Sequence, residues 1–270
     1  DHWSSGIARL AVRHGLQSKS FLLAADLFSD STGCDMSYEG IRKVTQEWGK
    51  AVNEKREQER KALFDMKNRP QTKVVEITDP IKKQASISTD GGFVHIREDG
   101  WKEVKMVTIS SVRPKKETEK GPHPDGRRYK AYEAQMMLEK HSYQVGFWKA
   151  EQMGQHQYRA GLRRDLSNCP KISSPNDGAK WIKHITEENY PDATQIIDWF
   201  HAAEKIWLIG KLTMSDKEER AAWAKARLDH LWMGRLDDVN AALEKVNSKQ
   251  AINPEEVQTS IGYFKHQQDR

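Results

Sequence analysis

Apolar residues in the first quarter of the chain recur at helical spacing. In "SFLLAADLFSDSTG" the residues Phe21, Leu22, Ala25 and Phe28 fall near one helical stripe, and Gly33 is placed to end the helix. "SYEGIRKVTQEWGKAV" follows, with Ser37 as an N-cap and Ile41, Val44 and Trp48 at i, i+3 and i+7. The pattern predicts helices over 1–69. A helix, a short turn and a second helix read either as a DNA-reading helix-turn-helix or as ordinary helix packing. The run "NEKREQERK", 53–61, is expected to be a solvated helix face.

The period then changes. "NRPQTKVVEITDPIKK" holds two prolines and reads as a connector. Strands are predicted at about 84–97 and 101–113, joined by a turn at Asp99-Gly100. The second strand has Met106 and Val112 on one face and Val107 and Ile109 on the other, which predicts a sheet covered on both sides. A polar loop, "RPKKETEKGPHPDGRR", ends the hairpin. Residues 129–165 read as helical, with Met137, Leu138, Phe147, Trp148 and Leu162 as apolar positions.

Beyond them lies a short strand or loop ending at Asp177, then a helix from Trp181, a strand "TQII", and a helix from about Asp198. Phe200, Ala203, Trp207 and Gly210 are expected to share one face of that helix. From Ser215 onward the chain reads as charged helix, broken near Gly234 and at "INPEE". Helices, a hairpin, helices, then strand-helix twice predict a mixed α/β fold. The expected divisions are a helical region at 1–80, a core at 81–212 and a helical region at 213–270.

Composition narrows the classes. Charged residues make up 31% of the 270 residues and hydrophobic ones 37%, yet nine are Trp, which argues against disorder. The formal net charge of +5 fits an anionic partner such as nucleic acid, although many basic proteins bind none. Cys34 and Cys169 are far apart and form no CxxC pair, so neither a disulfide framework nor an internal zinc ribbon is expected, and a reducing compartment is the default. No apolar run approaches the ~18 residues of a membrane span. The sequence opens at Asp1 and closes at Arg270 inside helical patterns, so a fragment is expected.

Two aspartates stand before small residues. Asp90 precedes Gly91-Gly92 and Asp177 precedes Gly178-Ala179. Asp and Gly are both disfavoured inside strands. Such carboxylates suit a hard divalent cation, and small neighbours let a ligand approach. "DG" is also a common turn dipeptide, so either residue alone also reads as a turn.

"STDGGFVHIREDGWKEVKMVTI", followed by "DGAKWIKHITEENYPDATQIIDWFHAAEKIW", resembles the DDE transposases of bacterial insertion sequences, in particular the ISKra type allied to the Mutator-like superfamily. The resemblance covers most of 20–270 and is most specific from Asp177 to Trp207, where Asp198-Trp199-Phe200-His201 matches the family's DxxH motif. It implies a ribonuclease-H-like core followed by an all-helical insertion. Asp90 would be the first catalytic acid and metal ligand, Asp177 the second. Asp198 and His201 would be the paired motif near the active site, ordering a helix or contacting DNA. The cofactor implied is Mg²⁺ or Mn²⁺. The family's third acid, a Glu after a glycine-serine-glycine stretch, is expected beyond Arg270; Glu244, Glu255 and Glu256 lack that context. "KISSPN", before Asp177, is more polar than the buried strand the family has there, and the family's cysteine-rich zinc segment has no counterpart.

What the resemblance implies in chemistry is metal-dependent hydrolysis at an element end, then attack of the freed 3′-hydroxyl on target DNA. The partners implied are terminal inverted repeats and target DNA, with a homo-oligomer possible and no membrane; the location implied is the bacterial cytoplasm, near the nucleoid. Lys102, Lys105, Arg113, Lys115 and Lys116 would track phosphates, or serve solubility. With the third acid missing, little or no turnover is expected of these 270 residues. Two rival readings are a catalytically dead DNA-binding remnant and a metal-dependent nuclease of the same fold. No HExxH, P-loop or GxSxG segment occurs.

Overall fold

The computed structural model describes residues 3–65, 75–121 and 135–267. Parts of the expected connector, of the polar loop after the hairpin and of the expected helix at 129–165 lie outside the described residues. So do both chain ends. The chain divides into two compact units, Asp1–Val74 and Val75–Arg270.

The first unit is helical. α1 (Ser5–Gln17), α2 (Phe21–Thr32) and α3 (Tyr38–Phe64) each start at a serine, Ser4, Ser20 and Ser37, whose hydroxyl accepts an N–H of the first turn. Gly33 ends α2 in the left-handed conformation. Ala11, Ala24, Phe28, Met36 and Ile41 form the core of this unit. Leu22, expected on the same stripe, is 63% exposed. In the charged run 53–61 most side chains are solvated, but Glu59 is buried.

The second unit is built on a sheet. β1 (Ala85–Ile96), β2 (Gly100–Pro114) and β3 (Met136–Gly146) form an antiparallel meander. β4 (Ile172–Asn176) adds parallel to β1, and β5 (Thr194–Ile197) parallel to β4. Among the described residues the order is β3-β2-β1-β4-β5. α4 (Ala150–Arg163) and α5 (Lys180–Asn189) lie in the connections. The protein is therefore mixed α/β, with a five-stranded mixed sheet. No helix among the described residues is long and apolar enough to cross a membrane.

Three local expectations are corrected. β3 occupies residues expected to be helical. Met, Leu, Glu and Lys favour helix locally, but pairing with β2, from Lys105–Gly146 to Pro114–Met136, overrides that propensity. The sheet is not covered on both sides by the described elements. Val107 and Ile109 are buried with Ala85, Ile87, Met153 and Ile185, whereas Met106, Tyr143 and Val145 are 40–53% exposed. Burial follows the period of two, and β1 carries Ser88 and Asp90, not apolar residues, on the solvent side.

The third correction concerns α6 (Trp199–Thr213), which buries Ala202, Ile206, Ile209 and Gly210. Phe200 is 80% exposed, so the expected stripe was displaced around the helix. α7 (Lys217–Trp232), α8 (Leu236–Glu244) and α9 (Pro254–Lys265) follow. They share a separate core with α6, made by Ile206, Ile209, Ala224, Val239, Leu243, Val257 and Phe264.

Arg164, just past α4, ties the meander together at its bulge between Ile109 and Ser111. Its buried guanidinium donates to the carbonyls of Asp79, Ile109 and Lys140 and to Ser142 Oγ, over 2.6–3.3 Å. Burial lowers its pKa, opposed by the Asp79 carboxylate. Removing it leaves several carbonyls unpaired at about 1–3 kcal/mol each where buried. Arg164→Leu is expected to cost the second unit about 3 kcal/mol or more in urea unfolding.

Candidate functional site

Asp90 sits in the middle of β1, opposite Met106, and is exposed. Its Oδ1 accepts the Gly91 N–H at 2.7 Å. The two glycines after it differ. A Cβ on Gly91 would lie 2.8 Å from Glu103 Oε1 and 3.5 Å from Trp181, so this glycine makes room for the protein's own side chains. A Cβ on Gly92 would meet nothing within 4 Å. Only Gly92 leaves open space beside Asp90 for an incoming group.

Asp177 follows β4 directly. Its Oδ1 accepts the Ala179 N–H at 2.9 Å, and its carbonyl accepts the Tyr263 hydroxyl at 3.0 Å. Gly178 has φ +88°, a conformation that side-chain-bearing residues rarely adopt. Its N–H donates to Asn176 Oδ1 and its carbonyl accepts Gln267 Nε2 at 2.9 Å. Tyr263 of α9 and Gln267, two residues past it, thus pin the loop that carries Asp177.

Strand register relates the two acids. Ala85 faces Ile172 and Ser86 faces Ser173 in the parallel β1–β4 ladder. Asp90 and Asp177 each stand four residues beyond the last pair of this ladder, Asp90 within β1 and Asp177 one residue past β4. The ladder itself stops at Ser173, and Pro175 has no N–H with which to extend it. Asp198 likewise stands one residue past β5. β4 and β5 pair through Asn176–Ile197, and the Asp198 N–H donates to the Asn176 carbonyl at 2.8 Å.

Asp198 is occupied by capping. Its Oδ1 accepts the N–H groups of Phe200 and His201 at 2.9 and 3.1 Å, and lies 3.1 Å from His201 Nδ1. The DxxH pair is the start of α6. Among the described residues no group of three or more His, Cys, Asp or Glu side chains is arranged to hold a metal ion.

The expected phosphate-tracking cations are mostly engaged. Lys102 pairs with Asp99 at 2.6 Å at the hairpin tip. Lys105 is buried, pairs with Glu103 and lies over the Trp181 ring at 5.1 Å. Arg113 is held by Glu119 at 2.7 Å and Glu139 at 2.9 Å, and Lys115 donates to Gln135 at 3.1 Å. Lys116 precedes a short 3-10 turn and is exposed. The three basic residues that share a cavity next to Asp177 are others: Lys180, Lys183 and Lys205. The i, i+3 lysines after "DG" were a signal available in the sequence; Lys205 enters only through the fold.

No protein-family model matches the chain, and no curated protein matches it.

The Arg113 guanidinium, hydrogen-bonded to Glu119, holds that carboxyl down at about 2, below the usual 4.5. A depressed carboxylate contributes stability above its unfolded value and loses it as pH falls through the folded one. The Glu119 side-chain resonance should therefore titrate near 2, and Arg113→Ala should return it toward 4.5. At α6, Asp198→Ala should destabilise the protein by about 1 kcal/mol, while Asp198→Asn, which keeps an acceptor at the cap, should cost less. Urea unfolding of the two variants checks this.

Proposed function

We propose that the chain is the DNA-handling core of a bacterial insertion-sequence DDE transposase, with Asp90 and Asp177 as two of its catalytic carboxylates. The observation that supports this reading is the parallel β1–β4 ladder, whose last pair, Ser86 and Ser173, lies four residues before Asp90 on one segment and four before Asp177 on the other, although the two aspartates are far apart in sequence. Strand order 3-2-1-4-5, with the first three antiparallel and the last two parallel, supports a ribonuclease-H-like core. The helices from α6 to α9, with a core of their own, suit an all-helical insertion after it.

The donor chemistry fits a hard cation. Each carboxylate uses one oxygen on a local N–H, which fixes its side chain, and the other oxygen makes no hydrogen bond among the described residues. Mg²⁺ or Mn²⁺ would be held by Asp90 and Asp177, and when bound it supplies Lewis-acid activation of a phosphodiester and of the attacking hydroxyl. Gly92 leaves the space beside Asp90 clear, and the α9 contacts to Asp177 and Gly178 hold the second acid's backbone in place. Asp198 and His201 act here as positioning residues that start α6 directly after β5. DNA, as element ends and target, is the partner.

A DNA-binding remnant with the same architecture is the second reading. It is favoured by the lack of a third metal-ligating side chain among the described residues.

Manganese binding, read by electron paramagnetic resonance on the full chain, tests the site. Asp90→Asn and Asp177→Asn are each expected to weaken it at least tenfold, about 1.4 kcal/mol. Equal binding by both variants and the parent overturns the assignment. In a Mn²⁺ strand-transfer assay on element-end DNA, little or no product is expected from the 270 residues; abundant product that survives Asp90→Asn overturns the catalytic role of Asp90.

A further inference from the structure

A cavity of about 790 Å³ opens beside the Asp177 loop, between the start of α5, α6 and the end of α9. Gly178, Tyr263 and Gln267 line it, the same residues that pin the loop. Lys180 and Lys183 enter from α5 and Lys205 from α6, and no carboxylate lines it among the described residues. Lys183 lies 3.8 Å from Glu187 on an exposed turn; Lys180 and Lys205 make no ion pair among the described residues. At the start of α5 the Ala179 N–H is taken by the Asp177 carboxylate at 2.9 Å, so the positive character of the mouth comes from the lysines.

Cations of one sign in a concave surface focus the field and attract an anion. The volume is within the ~300–1,000 Å³ of small-ligand pockets and well above what one phosphate needs. We infer that this cavity binds the phosphodiester backbone of a DNA strand, one or two groups long, with Lys180, Lys183 and Lys205 as the contacting charges. The inference rests on the transposase reading for its choice of DNA, and on the cavity alone for its choice of an anion. It gives the strand a path. The backbone lies along α5 and α6 and passes the Asp177 carboxylate, which is one residue from the cavity wall.

The test uses the full chain, with a chelator present so that metal chemistry plays no part. Binding of a mixed-sequence 20-mer DNA, single-stranded and duplex, is measured across salt concentration. Lys180→Glu/Lys183→Glu/Lys205→Glu is expected to lower affinity at least tenfold and to flatten the log–log salt slope by about two to three on duplex. Lys205→Glu alone should give a fraction of that change, and it covers the case in which the triple variant does not fold. Lys225→Glu, exposed on α7 and outside the cavity, should leave the slope within about one of the parent. An unchanged slope in both cavity variants overturns the site while leaving DNA binding intact. A parent chain that binds Mn²⁺ through Asp90 and Asp177 but binds no DNA overturns the cavity assignment and not the metal pair. Pyrophosphate that protects the cavity lysines from acylation where DNA does not assigns the cavity to a free anion and overturns the DNA path.

Discussion

The parallel pairing of β4 between β1 and β5 is the constraint on which the second unit depends. β4 is only five residues long, and its sequence, Ile-Ser-Ser-Pro-Asn, would not make a strand alone. It becomes one because neighbours on both sides supply its backbone hydrogen bonds and because the Asn176 side chain donates to the Ser174 carbonyl and accepts the Gly178 N–H. Ser173 Oγ adds a bond to the Ala85 carbonyl at 3.2 Å. From this placement follow the position of Asp177 at a strand end, the start of α5 two residues later, and the entry of Asp198 beside Asn176. Pro175 ends what β1 can share with β4, so the two segments are free to part where the aspartates stand.

The two faces of the sheet are energetically unlike. Under α4 and α5 the core mixes apolar and polar groups. Gln157 donates to Thr89 at 3.1 Å and accepts from Asn189 at 2.9 Å, and the fully buried Arg159 donates to Gln144 at 2.6 Å. Each such bond contributes about 1 kcal/mol net, but breaking one strands a buried polar group at a higher cost. This network therefore specifies how α4 seats on the sheet more than it adds stability. The other face holds Asp90 among Met106, Tyr143 and Val145, all substantially exposed. A carboxylate there keeps its hydration, which a metal-binding role requires until a cation arrives.

The helices from α6 to α9 act on the proposed site from outside the sheet. Their core is their own, yet α9 reaches back through the Tyr263 hydroxyl and the Gln267 amide to the backbone of Asp177 and Gly178. The positive φ of Gly178 and the 2.6 Å approach of Gln267 to the place a Cβ would take make this a tight seat. A local turn in the sequence is thereby fixed by residues 86 and 89 positions later.

Much was determined by the sequence alone. Serine caps, the helix-ending Gly33, the hairpin turn at Asp99-Gly100, the strand "TQII" and the helix after Asp198 all depend on a few adjacent residues, whose chemistry acts before any tertiary contact forms. The two aspartates before small residues were visible for the same reason. Only the folded chain decided the rest. Met137 and Leu138 became strand because β2 offered a ladder; α6 turned a different stripe inward because its neighbours lay on that side. Arg113 and Lys105, open cations when read in sequence, found carboxylates at Glu119 and Glu103. Lys205 was brought beside Lys180 and Lys183 by helix packing, which no local pattern encodes. That Asp90 and Asp177 each follow the same β1–β4 pair by four residues is likewise a property of strand register, set by long-range pairing and not by either residue's neighbours.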